Sequence, residues 1–131
     1  MPSIFTRIVN KEIPCYKVAE DENYFAFLDI NPLVKGHTLV IPKKETDYIF
    51  DVDDKALSGL IVFAKKVAKA LDKSIASKRT AVVVLGLDVP HAHIHLIPMN
   101  SASDINFANP KLKLTKEEFL TIADDIKQHI N

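Results

Sequence analysis

Three histidines alternate with small or aliphatic residues in the stretch His-Ala-His-Ile-His-Leu-Ile at positions 91–97. In an extended strand successive side chains point to opposite faces, so a period of two places His91, His93 and His95 on one face. On a helix the same rings would spread around most of the circumference. The pattern therefore predicts a strand with one chemical face and one core face.

Such a face has three interpretations. A lone histidine in a strand is usually just a half-buried polar residue, but three adjacent rings would repel one another if all were charged, which favours a functional cluster. His91, His93 and His95, with His37, could bind Zn²⁺, although same-face strand neighbours lie about 7 Å apart. Alternatively, neutral His93 could attack phosphorus while His91 and His95 handle protons and charge. The residues alone leave both open.

Composition excludes several classes of protein. The 131 residues are 47% hydrophobic and 26% charged, which is typical of a single soluble domain. Lysines plus arginines and aspartates plus glutamates number 17 each, so no overall charge favours nucleic acid or a membrane surface. The sole cysteine excludes an internal disulfide, and no stretch reaches the apolar length that spans a bilayer. We expect a cytoplasmic protein without nucleic-acid or membrane partners.

The strands that must position the rings follow from turn residues and β-prone runs. Runs 16–20 and 24–29 predict a hairpin, and 37–42 predicts a third strand with His37 at its start. The nearly continuous apolar run 79–86 predicts a central buried strand paired antiparallel with the histidine strand.

Helix signals complete an α+β fold. Ser3 caps a short N-terminal helix, Asp53 or Asp54 caps a long amphipathic one, and Thr115 with Glu118 forms a capping box. The prediction is a single domain over 1–131 with about five antiparallel strands, a short N-terminal helix, one long helix and a C-terminal helix. Its parts are a core at 3–98, a polar arm at 99–114 and the C-terminal helix at 115–130.

The sequence resembles the histidine triad (HIT) family of nucleotide hydrolases and transferases, whose signature is His-φ-His-φ-His-φ-φ. The resemblance is to its Hint-like nucleoside phosphoramidase branch. It extends beyond the triad to the segments 5–14, 26–32 and 36–43, in the same order and spacing.

The resemblance implies an antiparallel HIT-like sheet, a homodimer and a nucleoside monophosphate-type ligand, usually a purine nucleotide. It implies cleavage at the α-phosphorus of a nucleoside phosphoramidate or related conjugate through a nucleotidyl-histidine, with no cofactor and no metal. The alternatives are a non-catalytic nucleotide-binding or scaffolding module and a His-ligated metal hydrolase.

By position, the resemblance implies that the catalytic residues would be His93 as nucleophile with His91, His95 and His37. The nucleotide-binding residues would be Asp29 at the ribose and, around the base, Phe5, Ile8, Phe27, Ile30 and Leu39.

Two groups of residues depart from the pattern of this branch. A shortened link places Leu87 and Asp88 where phosphate-contacting residues are expected, and a carboxylate there would repel phosphate unless it points away or is bridged by a cation or a protonated histidine. Ser3 and Thr6 occupy positions at which some members carry zinc-binding cysteines, and Lys44 and Glu45 stand where a histidine would complete that site. No structural zinc is expected.

Overall fold

One antiparallel sheet organises the chain. The structure is a computed structural model that describes residues 2–130. Its strands are β1 (Lys17–Glu20), β2 (Tyr24–Leu28), β3 (Thr38–Pro42), β4 (Arg79–Val83) and β5 (Ile94–Met99), and their spatial order is β1-β2-β3-β5-β4. The helices are α1 (Ile4–Val9), α2 (Asp54–Ser74) and α3 (Lys116–Lys127), with 3₁₀ turns at Ile49–Asp51 and Ala102–Ile105. The predicted α+β class is confirmed.

The two faces of the sheet bury different layers. On one face α2 and α3 pack against an apolar cluster that includes Ile94 and Leu96 of β5. On the other face α1 packs against β2 and β3 through a cluster that includes Leu39. His95 is paired with Leu39 and therefore lies on the face that α1 covers. Its neighbours Ile94 and Leu96 point to the face that α2 and α3 cover. The predicted separation of a histidine face from a core face therefore holds within β5.

Local capping signals set the helix ends as predicted. The side chain of Ser3 caps α1 by accepting from the amide of Thr6, and Asp53 caps α2. Thr115 and Glu118 form the predicted capping box at α3. No helix described between residues 2 and 130 is both long and apolar enough to cross a membrane.

The prediction for the run 79–86 was wrong in position and length. β4 ends at Val83 and lies at an edge, pairing antiparallel with β5 as predicted but with no second neighbour among the described strands. Val82 and Leu85 are 54% and 46% exposed. A continuous apolar run does not distinguish a central strand from an edge strand with an apolar outer surface, since pairing order depends on the whole fold.

The histidine strand begins later than predicted. His91 and His93 lie in the segment before β5, which starts at Ile94. The amide of His91 donates to the carbonyl of Val89, and the amide of Ala92 donates to the carbonyl of Thr46. Regular pairing with β3 begins only after these contacts.

Candidate active site

A cavity of about 720 Å³ opens between α1, the end of β2 and the histidine segment. It brings together nine of the ten residues that the sequence analysis singled out. The tenth, His91, lies outside the lining. The nine are Phe5, Ile8, Phe27, Asp29, Ile30, His37, Leu39, His93 and His95.

A backbone hydrogen bond orients the ring of His93. Its Nδ1 lies 2.7 Å from the carbonyl oxygen of His91. A carbonyl oxygen can only accept, so Nδ1 carries the proton and Nε2 of the neutral ring keeps its lone pair. Phe5 packs edge-on against the ring with centroids 5.0 Å apart, which restricts its rotation. His93 also borders a second cavity of about 470 Å³ on the side of the first 3₁₀ turn.

His37 and His95 form a directed hydrogen-bonded pair. The amide of Leu33 donates to Nδ1 of His37 at 3.0 Å, so the proton of this ring is on Nε2. Nε2 of His37 then donates to Nδ1 of His95 at 2.9 Å. His95 is left with its own proton on Nε2, as a hydrogen-bond donor at the cavity.

Both rings of the pair are held neutral. Burial, followed by repulsion from His95, lowers the pKa of His37 to about 3. Burial, followed by repulsion from His93, lowers the pKa of His95 to about 4. Near neutral pH the pair is therefore a fixed donor without positive charge.

Asp29 and the histidine pair lie close enough together to resemble a set of metal ligands. Single donor atoms of Asp29, His37 and His95 lie within 4.8 Å of one another. A metal-bound histidine normally donates its other ring N–H to an acceptor, whereas Nδ1 of His37 faces the N–H of Leu33. If Nε2 of His37 bound a metal, the proton of the ring would move to Nδ1. That N–H would then face the N–H of Leu33, so two donors would oppose each other. The residues present do not fit a metal at this position.

Asp29 stands beside the pair at the end of β2. One carboxylate oxygen accepts from the amide of Asn31 at 2.8 Å, and the other lies 3.6 Å from Nε2 of His37. Since His37 is neutral, this contact is not an ion pair. Burial raises the pKa of Asp29. The second oxygen faces a cavity in which it can accept hydrogen bonds from a ligand.

The apolar end of the cavity comes from α1, β2 and β3. Phe5, Ile8, Phe27 and Leu39 are buried in one cluster. Ile30 also lines the cavity but is 64% exposed, so it lies at the rim. Apolar walls with a single carboxylate suit a flat ring that carries hydroxyl groups.

The polar arm supplies two cavity residues that the sequence analysis missed. Phe107 packs edge-on against His95 with centroids 4.9 Å apart, and Lys111 lies beside it in the lining. Lys111 donates to the carbonyl of Asn109 at 2.9 Å, which holds the end of the arm in place. The arm has no periodicity, and the lone aromatic residue in a polar run was the only signal that could have revealed it.

The shortened link before the triad also reaches the cavity. Leu87 and Asp88 both line it, and both are exposed. Gly86 adopts a φ of 72°, a conformation that favours glycine, and turns the chain there. Asp88 therefore stands at the cavity mouth in water, where its charge is screened more than it would be inside.

Comparisons with known proteins agree with this geometry. Residues 10–102 match the model of the HIT domain family. The chain is 32% identical to adenosine 5′-monophosphoramidase of Schizosaccharomyces pombe over 99% of both proteins. It is 38% identical to an uncharacterized HIT-like protein of Borreliella burgdorferi over 97% of both.

The fold comparison gives the same result. The crystal structure of a HIT-like protein from Bartonella henselae superposes with a TM-score of 0.84 at 31% identity, covering 97% of this chain and 95% of that one. The sequence match, the shared fold and the clustered histidines agree. The chain belongs to the HIT domain family.

Proposed function

We propose that this protein hydrolyses a nucleoside 5′-phosphoramidate, or a related conjugate, at the α-phosphorus of the nucleotide. The observation that carries the proposal is the hydrogen bond from Nδ1 of His93 to the carbonyl of His91, which leaves Nε2 as a nucleophile in the cavity. The name of the Schizosaccharomyces pombe relative, a phosphoramidase, supports the substrate class.

The reaction proceeds in two displacements. Nε2 of His93 attacks phosphorus, the phosphorus–nitrogen bond to the amine breaks, and the amine leaves with a proton taken from water, which the attacking water of the second step returns. Water then attacks the nucleotidyl-histidine, releasing the nucleoside monophosphate and the neutral ring. The carbonyl of His91 stabilises the positive charge on His93 in the intermediate, and the N–H of His95 donates to a phosphate oxygen.

The direct test is release of AMP from adenosine 5′-phosphoramidate by the purified protein, with and without EDTA. We expect release in both, because no step above requires a metal. Loss of activity in EDTA that zinc restores would favour a metal hydrolase. AMP binding without any turnover would favour a non-catalytic nucleotide-binding module.

Asp29 is proposed to bind the ribose. Its free carboxylate oxygen can accept hydrogen bonds from a vicinal diol while Phe5, Phe27 and Leu39 contact the base. Asp29→Asn should raise the Kd for AMP by about 10-fold, the usual loss for a charge-assisted hydrogen bond. Isothermal titration with AMP and with 2′,3′-dideoxy-AMP checks this, since the variant should lose affinity only for the diol. Equal losses for both ligands would contradict the assignment.

We further propose a homodimer that forms through β4. The outer edge of this strand has no neighbour among the described strands, and Val82, Val84 and Leu85 are exposed beside it. A second copy would cover these side chains and pair the strand edge.

Val82→Lys should shift the protein from dimer to a monomer near 14.7 kDa, because an edge lysine opposes strand pairing. Light scattering coupled to size exclusion checks this. Leu120→Lys, at an exposed apolar position on α3, is the matched control and should stay dimeric. A monomeric wild-type protein would contradict the proposal.

A further inference from the structure

His91 is buried beside the start of α1, and both of its ring nitrogens have partners. Nε2 lies 2.7 Å from the carbonyl oxygen of Pro42, and Nδ1 lies 2.8 Å from Oγ of Ser3. The carbonyl can only accept, so Nε2 carries the proton and Nδ1 accepts from the Ser3 hydroxyl. Burial lowers the pKa of His91, and the ring is held as one neutral tautomer.

A carboxylate at the surface fixes the direction of these hydrogen bonds. Oε1 of Glu45 lies 2.6 Å from Oγ1 of Thr6 and 2.6 Å from the amide nitrogen of Ser3. The hydroxyl of Thr6, followed by the contacts with Ser3, lowers the pKa of Glu45 to about 2. An ionised carboxylate only accepts, so the Thr6 hydroxyl proton points to Glu45.

Ser3, Thr6, Glu45 and His91 thus form one hydrogen-bonded cluster, in which the hydroxyl proton of Ser3 is left for His91. The amide of Thr6 donates to Oγ of Ser3 at 3.1 Å, so the Ser3 hydroxyl uses its own proton for Nδ1 of His91. Oγ1 of Thr6 lies 3.3 Å from the same Nδ1, but its proton is already engaged by Glu45. Without Glu45, the two hydroxyls would compete for one acceptor.

The cluster ends at the backbone that holds His93. The carbonyl of His91 accepts from Nδ1 of His93 at 2.7 Å. The next residue is restrained as well, because the amide of Ala92 donates to the carbonyl of Thr46 at 2.6 Å. Thr46 directly follows Glu45, so one loop holds both the ring of His91 and the backbone beside it.

Building on the proposed function, we propose that Glu45, Thr6 and Ser3 are positioning residues. They hold His91 in a single tautomer and, through its carbonyl, aim Nε2 of His93 at the phosphorus. None of the three lines the cavity around the nucleotide. Their loss should therefore lower kcat and leave KM for the nucleotide unchanged.

Glu45→Met removes the acceptor while keeping the length of the side chain. We expect kcat for AMP release to fall about 10-fold with KM within 2-fold, since a small misplacement of a nucleophile costs rate and not binding. The ¹⁵N resonance of Nδ1 of His91 should shift, because the freed hydroxyl of Thr6 then competes with that of Ser3 for this nitrogen. Glu117→Met is the matched control, because Glu117 is an exposed carboxylate in the first turn of α3, a helix that packs on the face of the sheet opposite to α1.

A second pair of variants separates positioning from stability. Ser3→Ala, which removes the hydroxyl that donates to Nδ1 of His91, should lower kcat in the same way and move the Nδ1 resonance towards that of a free nitrogen, and Ser3→Thr should restore both. Wild-type kcat and an unchanged His91 resonance in Glu45→Met and Ser3→Ala would overturn the positioning role and leave the proposed function intact. Equal losses in Ser3→Ala and Ser3→Thr would overturn it in favour of a purely structural role. If the wild-type protein releases no AMP, the proposed function fails. The His91 resonance alone then still shows whether Glu45 controls the hydrogen bonding of the His91 ring.

Discussion

His93→Ala is expected to lower kcat/KM for AMP release from adenosine 5′-phosphoramidate by about 10⁴-fold or more, because it removes the nucleophile. His95 cannot replace it, since its Nδ1 accepts from His37 and its Nε2 carries the proton. Steady-state kinetics with chromatographic detection of AMP measures the loss. In the wild-type protein, mass spectrometry after alkaline quenching should detect a nucleotide covalently bound to the peptide that contains His93.

The variant should still bind AMP within a few-fold of the wild-type Kd, because the apolar walls and Asp29 are unchanged. His129→Ala is the control: this exposed histidine follows the last turn of α3, and its loss should leave the rate unchanged. More than a tenth of the wild-type rate in His93→Ala would contradict the role of His93.

The free energy of unfolding should fall by roughly 2–4 kcal/mol between pH 7 and pH 5, through His37 and His95. Their pKa values are lowered to about 3 and about 4 in the folded protein, whereas unfolded histidines titrate near 6.5. Between these limits the unfolded chain binds more protons than the folded one. The contribution of these two histidines to the free energy of unfolding is therefore present in full above about pH 6.5 and is lost as the pH falls below that value.

Urea unfolding at a fixed protein concentration across this range tests the prediction. Carboxylates with lowered pKa values, such as Glu45 and Glu20, lose their contribution at lower pH, outside the window. His37→Gln should reduce the slope, because it removes one of the buried histidines whose pKa is lowered and leaves His95 and His91, whereas His129→Asn should not change it. A stability that is flat from pH 7 to pH 5 would show that the pair is not held neutral by burial.

Local sequence signals predict the positions of most helices and strands. Ser3, Asp53 and Thr115 begin the helices for which they were predicted, since capping depends only on residues within one turn. The hairpin and the third strand were also located from turn residues and β-prone runs. The apolar run that becomes β4 was misplaced because pairing order depends on contacts between distant segments.

The residues of the site could be singled out from the sequence, but not their arrangement. Alternation predicted that His95 and Ile94 would lie on opposite faces, and they do. Which nitrogen of each ring carries the proton depends on partners such as the Leu33 amide and the His91 carbonyl. The first partner precedes His37 by four residues through a turn, and the second depends on the local backbone. Neither leaves a periodic signal.

The sequence by itself determined the fold class and the histidine cluster, because periodicity and capping are local properties. The resemblance to the HIT family, and not periodicity, singled out the apolar and acidic residues that are proposed to bind the nucleoside. The tertiary structure decided which partner each histidine ring nitrogen has. It directs His93 and His95 into the cavity and turns His91 towards Ser3 and Glu45. The physical reason is that a histidine's chemistry depends on the partner of each ring nitrogen. Those partners come from segments that only folding brings together.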